Sequence, residues 1–203
     1  MRIDPTTAWQ RLRHGNETNP NPLGNTGELV PGAVAAAVFR CADSAVPSDA
    51  VFGLDGGSLL DVSTFGHVID TGVLATLEFA VQTLRVPLIV VLGHHDCTAM
   101  RTAQRAWELA ELPDGATRCV VEQVLWSIAR RHVPAGSVDA VAAAHVIETG
   151  LGIVQRSPVI AQQVDARTCA VVCASVGIRD GRLRTHATIG PAGERHEELA
   201  ECV

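Results

Sequence analysis

The amino-acid sequence predicts one α/β domain, in which helices cover the faces of a sheet that contains buried parallel strands. Two continuous apolar runs, residues 32–41 and 86–92, are typical of parallel strands buried on both faces. Segments with helical spacing of apolar residues lie between and after these runs, and such alternation is characteristic of α/β sheets. A length of 203 residues, with 47% hydrophobic and 19% charged residues, suits a single globular domain.

The elements of this domain, residues 1–203, can be assigned in chain order. Residues 1–32 are predicted to contain an N-terminal helix over 6–14, with Trp9 and Leu12 on one face, followed by an arm over 16–32 rich in Asn, Pro and Gly. The first strand ends at Cys41. The remaining elements are a strand near 59–62, a helix over 70–84, a strand beginning at 86, helices at 99–112, 116–131 and 138–156, and a strand pair at 168–176 and 183–188.

Charge and hydropathy exclude several classes of partner. The net charge is −6, and the basic residues are scattered, so we expect neither nucleic-acid binding nor a basic membrane surface. The apolar runs are too short to cross a bilayer. The N-terminal residues show no signal peptide, which predicts a cytoplasmic location. In that reducing compartment, the six cysteines are expected to be metal ligands or buried thiols rather than disulfides.

Metal-ligand residues follow two of the predicted strands. Cys41 and Asp43 come at the end of the first strand, and His94 and Cys97 come directly after the third. Open parallel sheets place functional sites beyond the carboxyl ends of their strands, so these loops converge if the two strands are neighbours. Two thiolates and one imidazole suit zinc and leave the fourth tetrahedral position free. The sequence therefore predicts one Zn²⁺ per chain.

These segments resemble the two hallmark motifs of the β-class carbonic anhydrases, Cys-x-Asp-x-Arg and His-x-x-Cys. The matching stretches are CADSAVP at 41–47 and VPLIVVLGHHDCTAM at 86–100, and residues 66–84 and 143–160 also look like family sequence. The resemblance implies a sheet of four parallel strands plus one antiparallel strand, flanked by helices, and a homodimer or higher homo-oligomer. It also implies the reversible hydration of carbon dioxide to bicarbonate by hydroxide bound to zinc.

The sequence departs from the family pattern around the expected metal site. Ala45 stands where the family has the arginine that pairs with its aspartate. Leu54 stands in the place of a glutamine that hydrogen-bonds substrate, and Ser63 replaces a second arginine. Without a competing cation, Asp43 is expected either to become the fourth zinc ligand or to accept a hydrogen bond from zinc-bound water. Three further residues are candidates for the pocket around the metal: Phe65, His67 and His95.

Three functional interpretations therefore remain open at this stage. The first is a working carbonic anhydrase, active at a normal or a reduced rate on its small-molecule substrate. The second is a non-catalytic family member, a pseudoenzyme whose closed zinc site only stabilises the fold. The third is a zinc lyase or hydrolase that acts on another small substrate. Fold-level analogy does not decide among them, because function resides in the site.

Overall fold

Five strands form one mixed sheet in the computed structural model, which describes residues 29–54, 57–134, 136–177 and 179–191. The strand order is β2-β1-β3-β4-β5. Strands β1 to β4 are parallel to their neighbours, and β5 pairs antiparallel with β4. This arrangement confirms the predicted fold class. The strands are β1 (Ala36–Cys41), β2 (Leu59–Thr64), β3 (Leu88–His94), β4 (Ala170–Val176) and β5 (Leu183–Ile189).

Six α-helices accompany the sheet within the described residues. They are α1 (Ser48–Phe52), α2 (Thr71–Phe79), α3 (Thr98–Leu109), α4 (Thr117–Arg131), α5 (Val138–Arg156) and α6 (Pro158–Asp165). Helix α5 is long and apolar enough to cross a membrane by length and composition alone. It packs, however, against β3 and β4, and its buried face includes Val146 and Ile153 in the main hydrophobic core.

The hydrophobic core explains why the apolar runs become central strands. Phe39 of β1, Ile89 of β3 and Val171 of β4 point to one sheet face and are fully buried there against α2, α5 and α6. The alternate residues Val38 and Val90 form a smaller cluster on the other face. Burial on both faces leaves no position in these strands for alternating polar side chains, as expected for parallel strands.

Several predicted boundaries differ from the observed ones. The predicted helix 70–84 is α-helical only to Phe79 and ends in a π-helical turn over Ala80–Leu84, which Arg85 closes with a left-handed φ of 57°. Helices α1 and α6 were not predicted. A single residue, Ser157, separates α5 from α6, since it is the C-cap of α5 and the N-cap of α6. The predicted helix 6–14, most of the arm and residues 192–203 lie outside the described residues.

Candidate metal centre

Neighbouring strands β1 and β3 bring the two predicted metal-binding segments together. Their register pairs Ala37 with Ile89 and Arg40 with Leu92, so both strands end at the same edge of the sheet. The ligand atoms of four residues there lie within 4.8 Å of one another: those of Cys41, Asp43, His94 and Cys97. Both cysteines and His94 are buried, whereas Asp43 is partly exposed. The structure thus gathers the three predicted ligands and the predicted aspartate into one cluster.

Hydrogen bonds fix the orientation of His94 and Asp43. The Nδ1–H of His94 donates to the carbonyl oxygen of His95 at 3.0 Å, which directs Nε2 towards Oδ1 of Asp43 at 2.7 Å. The other oxygen of Asp43 accepts the backbone N–H of Thr98 at 2.7 Å. Thr98 is the first residue of α3, so Asp43 lies at a helix N-terminus, where the helix dipole favours a negative charge.

The charges of the cluster shift all four pKa values. Burial favours the uncharged forms, but hydrogen bonds from Cys41, Thr98 and His94 lower the pKa of Asp43 to about 2. Burial likewise opposes the protonation of His94, yet Cys41 and Asp43 raise its pKa to about 9. A hydrogen bond from Cys97 lowers the pKa of Cys41 to about 6, and the same bond raises the pKa of Cys97.

The donor set fits a tetrahedral zinc ion. The Sγ atoms of Cys41 and Cys97 are 3.8 Å apart, and two Zn–S bonds of about 2.3 Å at the tetrahedral angle would place them about 3.8 Å apart. Oδ1 of Asp43 lies 3.6 Å from Sγ of Cys97, where zinc coordination of both atoms would give about 3.5 Å. The 2.7 Å separation of Asp43 Oδ1 from His94 Nε2 is that of a direct hydrogen bond.

A tight turn over Phe65–His67 contacts the side chain of Cys41. Gly66 and His67 both have left-handed backbones, with φ of 66° and 55°. The backbone N–H of Gly66 donates to Sγ of Cys41 at 3.1 Å. Phe65 packs against the hydrophobic cluster that contains both cysteines. His67 is fully buried, and its Nε2–H donates to the carbonyl oxygen of Leu92 at 3.0 Å.

The other predicted pocket residues lie outside the cluster of four. His95 is turned towards α5, with Nδ1 3.5 Å from Oδ2 of Asp139. Leu54 and Ser63 are exposed. His67, in contrast, lies beside His94 and Cys97 along a narrow crevice that leaves no room for a water molecule.

The comparisons with known proteins agree with this geometry. A family model described as carbonic anhydrase matches residues 36–183. The carbonic anhydrase of Mycolicibacterium smegmatis is 37% identical over 201 residues, which cover 94% of this chain and 98% of that protein. The chain belongs to the β-class carbonic anhydrase family.

Solved structures of β-carbonic anhydrases share the fold. The structure of the β-carbonic anhydrase CcaA superposes with a TM-score of 0.67 at 17% identity, over 91% of this chain and 100% of that one. A β-carbonic anhydrase of Sordaria macrospora, described as tetrameric, gives a TM-score of 0.64 at 20% identity, over 89% of this chain and 92% of that one.

One cation near the metal centre was missed by the sequence reasoning. Arg40 is the register partner of Ser63, so both side chains leave the same face of the sheet. Its Nη1 donates to the carbonyl oxygen of Ser44 at 3.3 Å, and its Nε lies 3.8 Å from Asp61. Arg40 is therefore the register partner of Ser63 and is bonded to the residue before Ala45, the two positions where the β-carbonic anhydrase pattern has arginines. Within the described residues, no arginine pairs with Asp43 itself.

Proposed function

We propose that this protein is a zinc-dependent carbonic anhydrase that interconverts carbon dioxide and bicarbonate, with one Zn²⁺ held by Cys41, His94 and Cys97. The observation that carries the proposal is the cluster of four ligand atoms within 4.8 Å at the edge of the sheet. Family membership supports the same reaction. The 3.8 Å separation of the two sulfurs suits zinc without rearrangement of β1 or β3.

The chain's own residues have separable tasks in this reaction. Zinc bound at this centre supplies Lewis-acid activation of water at neutral pH. Asp43 stays ionised, because its pKa is about 2, so it serves as a hydrogen-bond acceptor rather than as a general base. Its Oδ2 is anchored by the Thr98 N–H, so that Oδ1 can leave the metal position while the carboxylate remains in place. His94 is held ready by its Nδ1–H bond to the backbone.

The direct test is stopped-flow hydration of carbon dioxide between pH 7 and pH 9. Zinc-loaded protein is compared with Cys41→Ala, which lacks one ligand and serves as the blank. Zinc-dependent hydration above that blank supports the proposal. A rate equal to the blank, with one zinc bound per chain, would exclude carbonic anhydrase activity while leaving the zinc site intact.

A second candidate function is a non-catalytic zinc protein in which Asp43 is the permanent fourth ligand. It is favoured by the 3.6 Å separation of Asp43 Oδ1 from Cys97 Sγ and by the absence of an arginine partner for Asp43 among the described residues. The cobalt-substituted protein tests it, because azide changes the visible spectrum only if the fourth position is open. A spectrum that responds to azide in Asp43→Ala but not in the wild type supports the closed site.

We also propose that the chain forms a homo-oligomer. The Sordaria macrospora structures, described as tetrameric, support this assembly for the fold. Light scattering coupled to size-exclusion chromatography gives the mass directly, against 21.4 kDa for one chain. A single species at the mass of one chain would contradict the proposal.

A further inference from the structure

A buried histidine outside the metal cluster is linked to Cys41 through one turn of backbone. His145 lies on α5, and its Nε2 is 2.9 Å from the carbonyl oxygen of Gly66. The N–H of the same Gly66 donates to Sγ of Cys41 at 3.1 Å. Through Gly66, His145 is thus connected to a proposed metal ligand. His145 and Gly66 are 79 residues apart in the sequence, and Gly66 and Cys41 are 25 residues apart.

The positions of the hydrogen atoms on the His145 ring follow from the groups that each ring nitrogen contacts. A carbonyl oxygen can only accept, so Nε2 of His145 carries the proton that binds Gly66. Nδ1 is then an acceptor, and Ser127 Oγ donates to it at 2.8 Å. The neutral ring that this arrangement requires agrees with burial, which lowers the pKa of His145. Ser127 on α4 and His145 on α5 are both buried, with 3% of each residue exposed.

The turn itself needs such support. Gly66 and His67 have consecutive positive φ values, which is an uncommon conformation for His67. His67 holds the turn from the sheet side through its bond to Leu92, and His145 holds it from the helix side. The bonded carbonyl and N–H of Gly66 belong to the two peptide groups that meet at its Cα, so loss of the His145 bond would allow rotation there and misdirect the N–H from the sulfur of Cys41.

We infer that His145 is a positioning residue for Cys41, and that Ser127 orients His145 for this purpose. The inference rests on the proposed zinc site. A hydrogen bond to a ligating thiolate fixes its direction and withdraws charge from the sulfur, and groups that support ligands in this way commonly contribute about 10- to 100-fold to metal affinity. His145 has no hydrogen bond to the metal donors and acts only through the backbone of Gly66.

The test compares three variants by zinc affinity, measured in competition with a chromophoric chelator, and by hydrogen exchange of the Gly66 amide. His145→Ala should weaken zinc binding by about 10- to 100-fold and accelerate exchange at Gly66. His145→Gln should restore both properties, because its amide N–H can reach the same carbonyl oxygen. Thr149→Val is the matched control: Thr149 lies one helical turn further on α5 and is 4% exposed, against 3% for His145, but it has no bond to the turn. It should leave both properties unchanged.

Each failure has a distinct meaning. Zinc affinity and Gly66 exchange that are unchanged in His145→Ala, or lost equally in Thr149→Val, would overturn the inference. If His145→Ala does not fold, Ser127→Ala decides the matter: a smaller loss in the same direction supports the inference, and no change overturns it. A wild-type protein that does not bind zinc would instead refute the proposed function. Gly66 exchange in the metal-free variants would still report on the positioning role.

Discussion

Oδ1 of Asp43 lies 2.7 Å from Nε2 of His94, while Oδ2 of the same carboxylate accepts the Thr98 N–H at 2.7 Å. The aspartate is therefore shared between a proposed metal ligand and the N-terminus of α3. In the pattern that the sequence resembles, an arginine at the position of Ala45 would hold this aspartate. Besides His94, which loses its proton when it binds zinc, the described residues give it a helix N-terminus, which offers one hydrogen bond and a partial charge rather than a full cation.

Restoring the arginine should therefore increase activity. We expect Ala45→Arg to raise the rate of carbon dioxide hydration by about tenfold, because a charge-assisted pair with Asp43 is worth about 1.5–3 kcal/mol and competes with zinc for the carboxylate. Stopped-flow assays of the zinc-loaded variant measure the change. Ala42→Arg is the control, since Ala42 is exposed on the other side of Asp43 in the same loop. An equal gain in both variants would indicate a general charge effect and contradict the prediction.

Zinc binding should release protons from two of the three ligands. At pH 7.5, His94 is protonated because its pKa is about 9, and Cys97 is protonated because its pKa is raised, whereas Cys41 with a pKa of about 6 is already a thiolate. Calorimetry in buffers of different ionisation enthalpy should therefore give close to two protons per zinc. Asp43→Asn removes a carboxylate that raises the pKa of His94, so it should release fewer. A release near zero in the wild type would be inconsistent with these ionisation states.

The metal-free protein should lose stability below pH 6.5. The pKa of His67 is lowered to about 3 by burial, and that of His145 is also lowered, so the unfolded chain binds more protons between these values and 6.5. The free energy of unfolding therefore decreases as the pH is lowered through that window. Above pH 6.5 the lowered pKa of Cys41 and the raised pKa of His94 act in opposite directions, which predicts a nearly flat profile up to pH 8.

Urea denaturation at several pH values measures this profile. His67→Gln should reduce the slope below pH 6.5, since one buried titrating ring is removed. A metal-free protein that gains stability between pH 7 and pH 5 would show that these histidines are not buried as neutral rings.

The turn that contacts Cys41 should not tolerate a side chain at Gly66. A Cβ there would overlap the Val120 side chain and approach Cβ of Ala99 to 3.0 Å, on a backbone with φ of 66°. We expect Gly66→Ala to destabilise the fold by at least about 3 kcal/mol, from left-handed strain and overpacking together. Gly53→Ala has nearly the same φ, 62°, but nothing within 4 Å. Gly53→Ala should therefore lower the free energy of unfolding by about 1 kcal/mol, which measures the backbone strain without the overpacking.

These costs are measured by chemical denaturation of both variants at the same pH. Similar losses for Gly66→Ala and Gly53→Ala would mean that α3 and α4 can move away from the turn.

The strands and the metal ligands could be predicted because their signals are local. Strands buried on both faces need apolar residues at nearly every position, and Ala36–Cys41 and Leu88–His94 accordingly contain continuous apolar runs. Ligands at the ends of such strands then converge by topology alone. Helix α6 was missed although Ser157 and Pro158 carry a capping signal, because α5 ends at the residue before Ser157 and leaves no loop to mark a new helix.

The supporting contacts of the site could not be predicted in the same way. His145 meets Gly66 across 79 residues, and nothing near His145 in the sequence distinguishes it from any other polar residue in an apolar helix. Arg40 is similar, because its position beside Ser63 depends on the register of β1 with β2. Such roles arise from tertiary packing, which one-dimensional patterns do not encode.

The separation of Cys41 from Cys97 also sets the order of events during biosynthesis. The two halves of the donor set are 56 residues apart, and β2, α2 and β3 must be made between them. A chain emerging from the ribosome therefore carries only the first thiol until the crossover from β1 to β3 has been synthesised. Ends that far apart come together slowly, through non-local pairing of the strands. Capture of the ion would thus follow the pairing of β1 with β3 rather than nucleate it.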